Sequence, residues 1–200
     1  GHLQVLDRQD SPDPSFVRQE HALVLDELDR MNRLVAELLT LARATRVDFL
    51  RKESIGLDGF LQSLVAQGPH IGERMWRLDS LPGGSVQADQ DRLTQVFLNL
   101  MQNAVRHTTE DQVIALGGER TAAGVALWVR DEGQGMTKET AARIFERFYR
   151  GSGETDAGAG LGLAIVKAIV EAHQGSVTVE SRPDAGARFT VILPAQVDRA

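Results

Sequence analysis

Two glycine clusters constrain the fold of this chain more than any other feature, because each interrupts a regular apolar pattern at a defined point. The first cluster, DEGQGM at 131–136, closely follows the strand-like run VALWV at 125–129. The second, GAGLGLAIV at 158–166, opens an apolar run that predicts a helix beginning at Leu161. The fold therefore needs one tight turn at the end of a strand and another at the start of a helix.

The second cluster has the features of a phosphate-binding loop. Gly158, Gly160 and Gly162 allow backbone N–H groups to approach a ligand closely, and the following helix would direct its positive N-terminus at that ligand. The loop is not a Walker A motif, because Leu163 follows Gly162 where that motif has lysine. It is not a dinucleotide-binding fingerprint either, because no compact βαβ unit begins at it.

A helix upstream of both clusters carries two asparagines on one face. In QVFLNLMQNAVRHT at 95–108, Asn99 and Asn103 have the i, i+4 spacing that aligns side chains along a helix. An amide oxygen there can complete the coordination shell of Mg²⁺, which proteins often share with water and nucleotide phosphates. Asp131, at the end of its strand, can accept a hydrogen bond from the exocyclic amino group of adenine. Together these features predict an ATP-binding site.

Composition narrows the class of protein. The chain has 200 residues, 42% of them hydrophobic, which is enough for one domain with a core and a smaller element. The net charge of −6 argues against general nucleic-acid binding, since a phosphate-binding face needs an excess of lysine and arginine. Without cysteine the chain can form neither disulfides nor thiolate sites. No stretch of the sequence has the length and hydrophobicity of a membrane span.

The first fifty residues follow a different pattern from the rest of the chain. Between residues 16 and 44, apolar side chains recur at alternating spacings of three and four, as in the seam of a helical bundle. They are Val17, Val24, Leu28, Met31, Val35, Leu38 and Ala42, with Leu25, Leu34, Leu39 and Leu41 widening the stripe. A stripe this broad favours a four-helix bundle, and a surface helix packed on its own domain is the alternative. SPDP at 11–14 predicts a hairpin turn.

The remaining segments predict a mixed sheet covered by helices. We expect strands at 49–54, 75–79, 85–87, 111–117, 124–130, 176–181 and 187–193, and helices at 57–67, 90–106, 138–146 and 161–173. Gly175 is expected to close the last helix. Because helices alternate with hairpin-like strand pairs, the predicted fold is an α/β two-layer sandwich with helices on one face. The polar, glycine-rich segment 147–158 predicts a mobile lid.

Four segments of the chain, in this order, resemble the sequence boxes of the sensor histidine kinases of two-component systems. DRLTQVFLNLMQNAVRHT at 91–108 resembles the N box, DEGQGM the G1 box, IFERFYR at 144–150 the F box and GAGLGLAIV the G2 box. The resemblance covers about residues 15–194. It implies the Bergerat fold of the wider family that includes gyrase-type, Hsp90-type and MutL-type ATPases. It also implies a histidine protein kinase, which transfers the γ-phosphoryl group of ATP to a histidine for relay to the receiver domain of a response regulator.

The resemblance implies roles for individual residues. It places Asn103 at Mg²⁺, Asn99 and Arg106 beside the phosphates, and Arg150 at the γ-phosphate. An ordinary helix-face contact for Asn99 and solvated charges for the two arginines are the alternatives. The other nucleotide contacts that it implies are His107, Asp131, Gly133, Gly135, Met136, Gly158, Ala159, Gly160, Leu161, Gly162, Leu163 and Thr190. Gly133 and Gly135 would form the turn that admits the base. Ala159 stands where some relatives have an oxygen ligand, so its contact would come from backbone or water.

The phosphoacceptor of such kinases lies in a motif resembling HELRTP, which this chain lacks. His21 is followed by Ala-Leu-Val, and His2 lies past the expected position of the acceptor. We therefore expect residues 1–47 to be a truncated helical hairpin of a dimeric four-helix bundle, and residues 48–200 to be a complete ATP-binding catalytic domain. This chain alone would then not autophosphorylate. His173 is interpreted as a helix-end residue whose cationic form the helix dipole favours.

The resemblance also implies a homodimer, no nucleic-acid partner, and a cytoplasmic position for these residues in a parent protein anchored in the inner or plasma membrane. Two other functions remain open at this point. One is an ATPase of the gyrase, Hsp90 or MutL type, although those families usually have glutamate where this chain has Asn99. The other is an ATP-dependent conformational or binding module without kinase activity.

Overall fold

The structure is a computed structural model that describes residues 14–46, 48–149 and 159–194. The chain divides into two compact units, residues 1–39 and 40–200. The predicted boundary between residues 47 and 48 stays a prediction. Residues 1–6, whose sequence GHLQVL resembles the last turns of the hairpin's first helix, and residues 11–13 of the predicted turn lie outside the described residues. Within the described ranges, no helix is long and apolar enough to cross a membrane.

A single helix, α1 (Pro14–Arg43), forms the described part of the first unit. It matches the helix predicted from the apolar stripe between residues 16 and 44. Seven of its large apolar side chains are exposed, by 47% or more in each case. These are Leu23, Leu25, Leu28, Met31, Val35, Leu38 and Leu39. All of them except Leu23 belong to the predicted stripe, which is therefore exposed over much of its length, whereas its member Leu41 is buried.

The second unit contains the remaining helices and strands. In chain order they are β1 (Glu53–Gly56), α2 (Leu57–Ile71), β2 (Met75–Ser80), β3 (Ser85–Ala88), α3 (Gln90–Arg106), β4 (Val113–Thr121), β5 (Gly124–Asp131), α4 (Lys138–Arg143), α5 (Gly162–Ala172), β6 (Ser176–Ser181) and β7 (Ala187–Pro194). The main sheet has five strands in the order β2-β4-β5-β7-β6. Strands β2 and β4 are parallel, and the other neighbours are antiparallel. Strands β1 and β3 form a separate antiparallel pair.

Helices cover one face of the main sheet, as predicted, and the register shows which residues they bury. Along β7, Phe189 and Val191 are buried and pair with Val129 and Leu127 of β5, which are also buried. The intervening residues of both strands point to the opposite face. Helix α3 contributes Phe97 to this core, and its ring meets that of Phe60 of α2 edge to face at 5.6 Å. The α/β two-layer sandwich is confirmed.

Several element boundaries differ from the prediction. The strand expected at 49–54 begins only at Glu53, because the preceding backbone is held by a side chain: the N–H of Arg51 donates to Asp89 Oδ2 at 2.8 Å. Helix α4 ends at Arg143, short of the predicted residue 146. Strand β4 begins at Val113 and continues to Thr121, four residues beyond the predicted end.

Helix α2 continues four residues beyond its predicted end at 67, through Pro69, to Ile71. The Gly72 N–H donates to Gly68 O at 3.1 Å, and the Trp76 indole donates to Gly72 O at 3.0 Å, so the last turn keeps partners despite the proline. Gly68 is required there, since a Cβ atom would collide with the Trp76 ring.

The end of α5 also differs from the prediction. Gln174, with φ of 63°, adopts the left-handed conformation that was expected of Gly175. Gly175 is needed for another reason, because a Cβ atom there would collide with Ile192 O. Its N–H donates to Val170 O at 3.0 Å and closes the helix.

Helices α3 and α5 run antiparallel and are joined by hydrogen bonds near both ends. The Asn99 side chain donates to Gly162 O at 3.3 Å, beside the start of α5. The Asp89 N–H, at the start of α3, donates to His173 Nε2 at 3.0 Å, beside the end of α5. The two helices that carry the N-box and G2-box residues therefore pack as a pair.

Candidate functional site

Asp131 ends β5 as a buried carboxylate, with only 7% of the residue exposed. Burial raises its pKa above the ordinary value, while hydrogen bonds from the Gly133 and Ala187 N–H groups and the charge of His107 act in the opposite direction. The Gly133 N–H donates to Oδ1 at 2.9 Å. One carboxylate oxygen is thus anchored by the chain itself, which fixes the direction of the group.

The loop that follows, residues 131–136, is here called the glycine loop and is held between two other segments. On one side the Gln134 N–H donates to His107 O, at the end of α3, at 3.3 Å. On the other side lies the turn between β6 and β7. There Asp184 N–H donates to Gln134 O at 2.7 Å, and Gly186 N–H donates to Gly133 O at 2.9 Å. The loop is therefore a fixed platform for Asp131.

The two glycines of this loop are required by its packing, and the role predicted for their turn in admitting the base stays a prediction. A Cβ atom at Gly133 would collide with His107 O, and one at Gly135 would collide with Arg182 O. Gly135 also has a φ of 63°. Because protein backbone fills the position of a side chain at both residues, only glycine allows this close packing.

The last turn of α3 brings three predicted residues to one region. Asn103 is half-buried, and none of the described residues hydrogen-bonds to its side-chain amide. Arg106 is exposed in the last turn. The His107 ring nitrogen Nδ1 lies 2.9 Å from Gln134 Nε2, which bridges the helix end to the glycine loop. A half-buried amide without a protein partner is suited to an external ligand.

The start of α5 holds the described part of the second glycine cluster. Gly160, with φ of 69°, accepts a hydrogen bond from the Phe148 N–H at 2.9 Å, which ties the F box to the G2 box. The Leu161 side chain is buried in the core, so any contact to a ligand would come from its backbone. At Gly162 a Cβ atom would meet only Asn99 Cγ, at 3.9 Å. Among the described residues, a side chain at position 162 would therefore meet no close neighbour.

Other predicted residues have different positions. Thr190 pairs with Trp128, and the alternation along β7 places both on the face opposite the helices, whereas Asp131 lies on the helix face. Thr190 is therefore separated from the predicted site by the sheet. Ala159 and Leu163 are half-buried beside Gly160 and Gly162. Arg150 and Gly158 lie outside the described residues.

His173 ends α5 as its C-cap, as predicted, but the expectation that its cationic form is favoured is wrong. The residue is only 3% exposed, and burial lowers the pKa of its ring below the ordinary value. Nδ1 lies 2.8 Å from Ile169 O, which requires a donor, and Nε2 accepts the Asp89 N–H. These partners fix the neutral ring with its proton on Nδ1. The sequence gives no sign that α5 would end inside the protein.

Sequence reasoning missed three supporting residues. Ser181 accepts the Met136 N–H at 2.9 Å, and Ala187 pairs with Asp131 across the sheet. Asp89 caps α3 by accepting the Arg92 N–H at 3.0 Å. Only Asp89 has a local signal, because an aspartate just before an amphipathic helix is a typical N-cap.

Within the described part of the chain, no group of three or more His, Cys, Asp or Glu side chains could hold a metal ion. A cation at this site would therefore depend on the ligands of a bound nucleotide, with Asn103 as the protein oxygen.

Comparison with known proteins decides the family. Residues 88–197 match the family described as histidine kinase-, DNA gyrase B- and HSP90-like ATPases. The chain belongs to this family. Members bind ATP, and the matched range contains the N, G1, F and G2 boxes together.

The relatives within the family are sensor histidine kinases. The chain is 38% identical over 176 residues to the sensor histidine kinase ZraS of Escherichia coli K12, covering 86% of this chain and 37% of ZraS. It is similar to full-length ShkA in complex with AMPPNP, with a TM-score of 0.75 and 31% identity over 94% of this chain and 41% of ShkA. The histidine kinase ThkA in complex with the response regulator TrrA shares the fold, with a TM-score of 0.75 and 22% identity over 99% of this chain and 57% of that chain.

These relatives confirm the prediction of a sensor histidine kinase catalytic domain and favour it over the ATPase and binding-module alternatives. The chain spans less than half the length of ZraS.

Proposed function

We propose that this chain binds Mg²⁺-ATP and transfers the γ-phosphoryl group to a histidine on an acceptor helix, for relay to the receiver domain of a response regulator. The observation that carries the proposal is the buried Asp131 carboxylate, fixed at the end of β5 by the Gly133 N–H and facing the α3 side of the sheet.

Asp131 would select the base. The Gly133 and Ala187 N–H groups both hydrogen-bond to the carboxylate, and its two oxygens keep further lone pairs that can accept a hydrogen bond from the 6-amino group of adenine. Guanine presents a carbonyl oxygen at that position, and two acceptors facing each other in a buried site repel. A site built around a buried polar group in this way discriminates strongly against ligands that leave it unpaired.

Three groups are available for the phosphates and the cation. The Asn103 amide has no partner among the described residues, and it fits an oxygen ligand of Mg²⁺. Arg106 is exposed within the same helical turn, and the first backbone N–H groups of α5, which a helix leaves without intrahelical partners, are available to an anion. Bound Mg²⁺ would neutralise charge on the phosphates. Roles for Arg150 and Gly158 remain part of the proposal through the resemblance alone.

Phosphoryl transfer requires mainly positioning and charge stabilisation, so this side of the reaction needs no side-chain nucleophile. The nucleophile is the acceptor histidine, delivered from another segment. ThkA was solved with its response regulator, and this supports a receiver domain as the partner of the present chain. The exposed stripe of α1 supports a dimeric parent, and the kinase relatives support a cytoplasmic position for these residues in a membrane-anchored protein.

The test is phosphorylation in trans. The chain is incubated with Mg²⁺ and γ-labelled ATP, alone and with a separate polypeptide that carries the acceptor helix of the parent protein. We expect slow, acid-labile labelling of the added helix and none of the chain alone, because the acceptor only has to reach the γ-phosphate. At subsaturating ATP, Asp131→Asn and Asn103→Ala each lower the rate by about ten- to a hundredfold, through loss of one charge-assisted hydrogen bond or metal ligand.

Gln102→Ala serves as the control, because it alters an exposed residue of the same helix. If the chain binds ATP but releases phosphate only to water, the kinase proposal fails and an ATPase function replaces it. Self-labelling that disappears in His21→Gln would contradict the separate acceptor.

A further inference from the structure

Ser181, the last residue of β6, uses its hydroxyl to join two turns. Oγ accepts a hydrogen bond from the Met136 N–H at 2.9 Å. The same hydroxyl donates to Gly186 O at 2.6 Å. Met136 ends the glycine loop, and Gly186 lies in the turn between β6 and β7. One side chain therefore fastens the loop that carries Asp131 to the turn beneath it.

The direction of both hydrogen bonds is fixed by chemistry. Gly186 O can only accept, so the single hydroxyl proton of Ser181 points to it, and a lone pair of Oγ remains for the Met136 N–H. Alanine would satisfy neither backbone group, whereas threonine would satisfy both.

The turn contacts the other end of the loop as well. The Gly186 N–H donates to Gly133 O at 2.9 Å, and a Cβ atom at Gly186 would collide with Asp131 O. Ser181 thus holds Met136 directly. By fixing Gly186, it also supports Asp131 and Gly133, which Gly186 contacts. The glycine loop can tilt away from α3 only if the hydrogen bonds that join it to Ser181 and Gly186 break.

Ser181 is poorly placed to act as a general stabiliser of the fold. It is half-buried at the end of β6, an outer strand that pairs only with β7. The apolar core between β5, β7 and α3 does not include it. Removing the hydroxyl should therefore alter the loop more than the core.

We propose that Ser181 is a positioning residue of the nucleotide site, which holds the glycine loop so that the Asp131 carboxylate meets the 6-amino group of adenine. The inference rests on the proposed adenine contact of Asp131. Ser181 itself is not expected to touch the nucleotide.

The test compares two nucleotides by calorimetric titration of the 200-residue chain in Mg²⁺. One is ATP, and the other is purine riboside triphosphate, which lacks the 6-amino group. We expect the wild type to bind ATP at least about tenfold more tightly. Ser181→Ala should weaken ATP binding by about five- to tenfold and binding of the analogue by less than about twofold, because only ATP uses the position of Asp131.

Two variants serve as controls. Ser181→Thr keeps the hydroxyl and should retain the discrimination of the wild type. Ser176→Ala, an exposed serine at the other end of β6, should leave both affinities unchanged. If Ser181→Ala does not fold, Ser181→Cys gives the same readout, because a thiol donates and accepts only weakly.

Equal losses for both nucleotides, or no loss, would overturn the positioning role and leave the adenine contact of Asp131 intact. A wild type that binds both nucleotides equally would refute the adenine contact, and the role of Ser181 with it.

Discussion

Asp131 combines a proposed role in adenine binding with a cost to the stability of the fold. Its carboxylate is buried, and burial raises its pKa above the ordinary value of 3.8. The pKa of Asp79 is shifted in the opposite direction, because its carboxylate accepts hydrogen bonds from Arg130 that lower it. The two aspartates should therefore affect stability with opposite signs as pH changes.

The first prediction at this scale is that Asp131→Asn gains stability relative to the wild type as pH rises. Because the folded pKa is raised, the carboxyl contributes its full stability below about pH 3.8 and loses it as pH rises through the folded value. Asparagine does not titrate. Denaturant unfolding measures the free energy of unfolding of both proteins at about pH 4 and about pH 7. The value for the variant minus that for the wild type should be larger at about pH 7.

Asp79→Asn is the matched control. Its contribution is present above about pH 3.8 and is lost as pH falls below that value, so this variant should lose stability relative to the wild type as pH rises toward about 3.8 and change little between about pH 4 and about pH 7. A parallel response of the two variants would show that burial does not dominate at Asp131.

Single residues could be predicted from sequence where a motif fixes both their type and their element. Asp131 ends an apolar strand and Asn103 lies on an amphipathic helix, and the structure places both in one region. Thr190 could not be placed, because its face depends on the register of β7 against β5. The buried state of His173 depends on Asp89, which lies 84 residues away in the chain.

At the scale of elements, Asp89 joins three segments. One carboxylate oxygen caps α3 through the Arg92 N–H, and the other accepts the Arg51 N–H at 2.8 Å. Its own N–H reaches His173 at the end of α5. The backbone before β1 is thereby tied to both helices of the nucleotide site.

We expect Asp89→Asn to release the segment around Arg51 while α3 stays capped. Asparagine caps helices as well as aspartate does, but its amide NH₂ would face the Arg51 N–H, donor against donor. Loss of that hydrogen bond should raise amide exchange at Arg51 by about five- to thirtyfold, corresponding to about 1–2 kcal/mol. Hydrogen exchange read by NMR measures it.

Exchange within α3 should change little in the same experiment. Asp91→Asn, an exposed aspartate in the first turn of α3, is the control and should leave Arg51 unaffected. Loss of protection throughout α3 would mean that the cap itself had failed.

Element boundaries were predictable where local signals agree. Helix α3 was expected at 90–106 and has those bounds, because its amphipathic pattern is clear, and the N-cap Asp89, a signal that was not used, agrees with them. Strand β1 is only four residues long and pairs with β3. Its alternation of apolar and polar residues is too short for the sequence to locate its ends. The β1–β3 pair was not foreseen as a separate sheet.

At the scale of the whole molecule, the catalytic domain buries most of its large apolar residues, whereas α1 exposes seven of its own. Four residues central to the exposed stripe, Leu28, Met31, Val35 and Leu38, are 47% to 55% exposed. They repeat at spacings of three and four, so they form one continuous face of the helix. An apolar face of this kind on a soluble domain marks an interaction surface. The repeat of the stripe is that of a helical bundle, and the simplest partner is a second copy related by a two-fold axis.

We therefore expect the chain to associate weakly with itself through α1, and the double variant Leu28→Glu with Val35→Glu to abolish this association. Two carboxylates on the apolar face would have to lose water in the interface without a counter-charge. Sedimentation velocity at rising concentration should show the mass average increasing for the wild type and staying at that of the monomer for the variant. Asn32→Glu adds a charge at an exposed polar position of the same helix and should associate like the wild type. If the mass average of the double variant rises with concentration as that of the wild type does, the copies associate through another surface. The stripe would then bind a different partner.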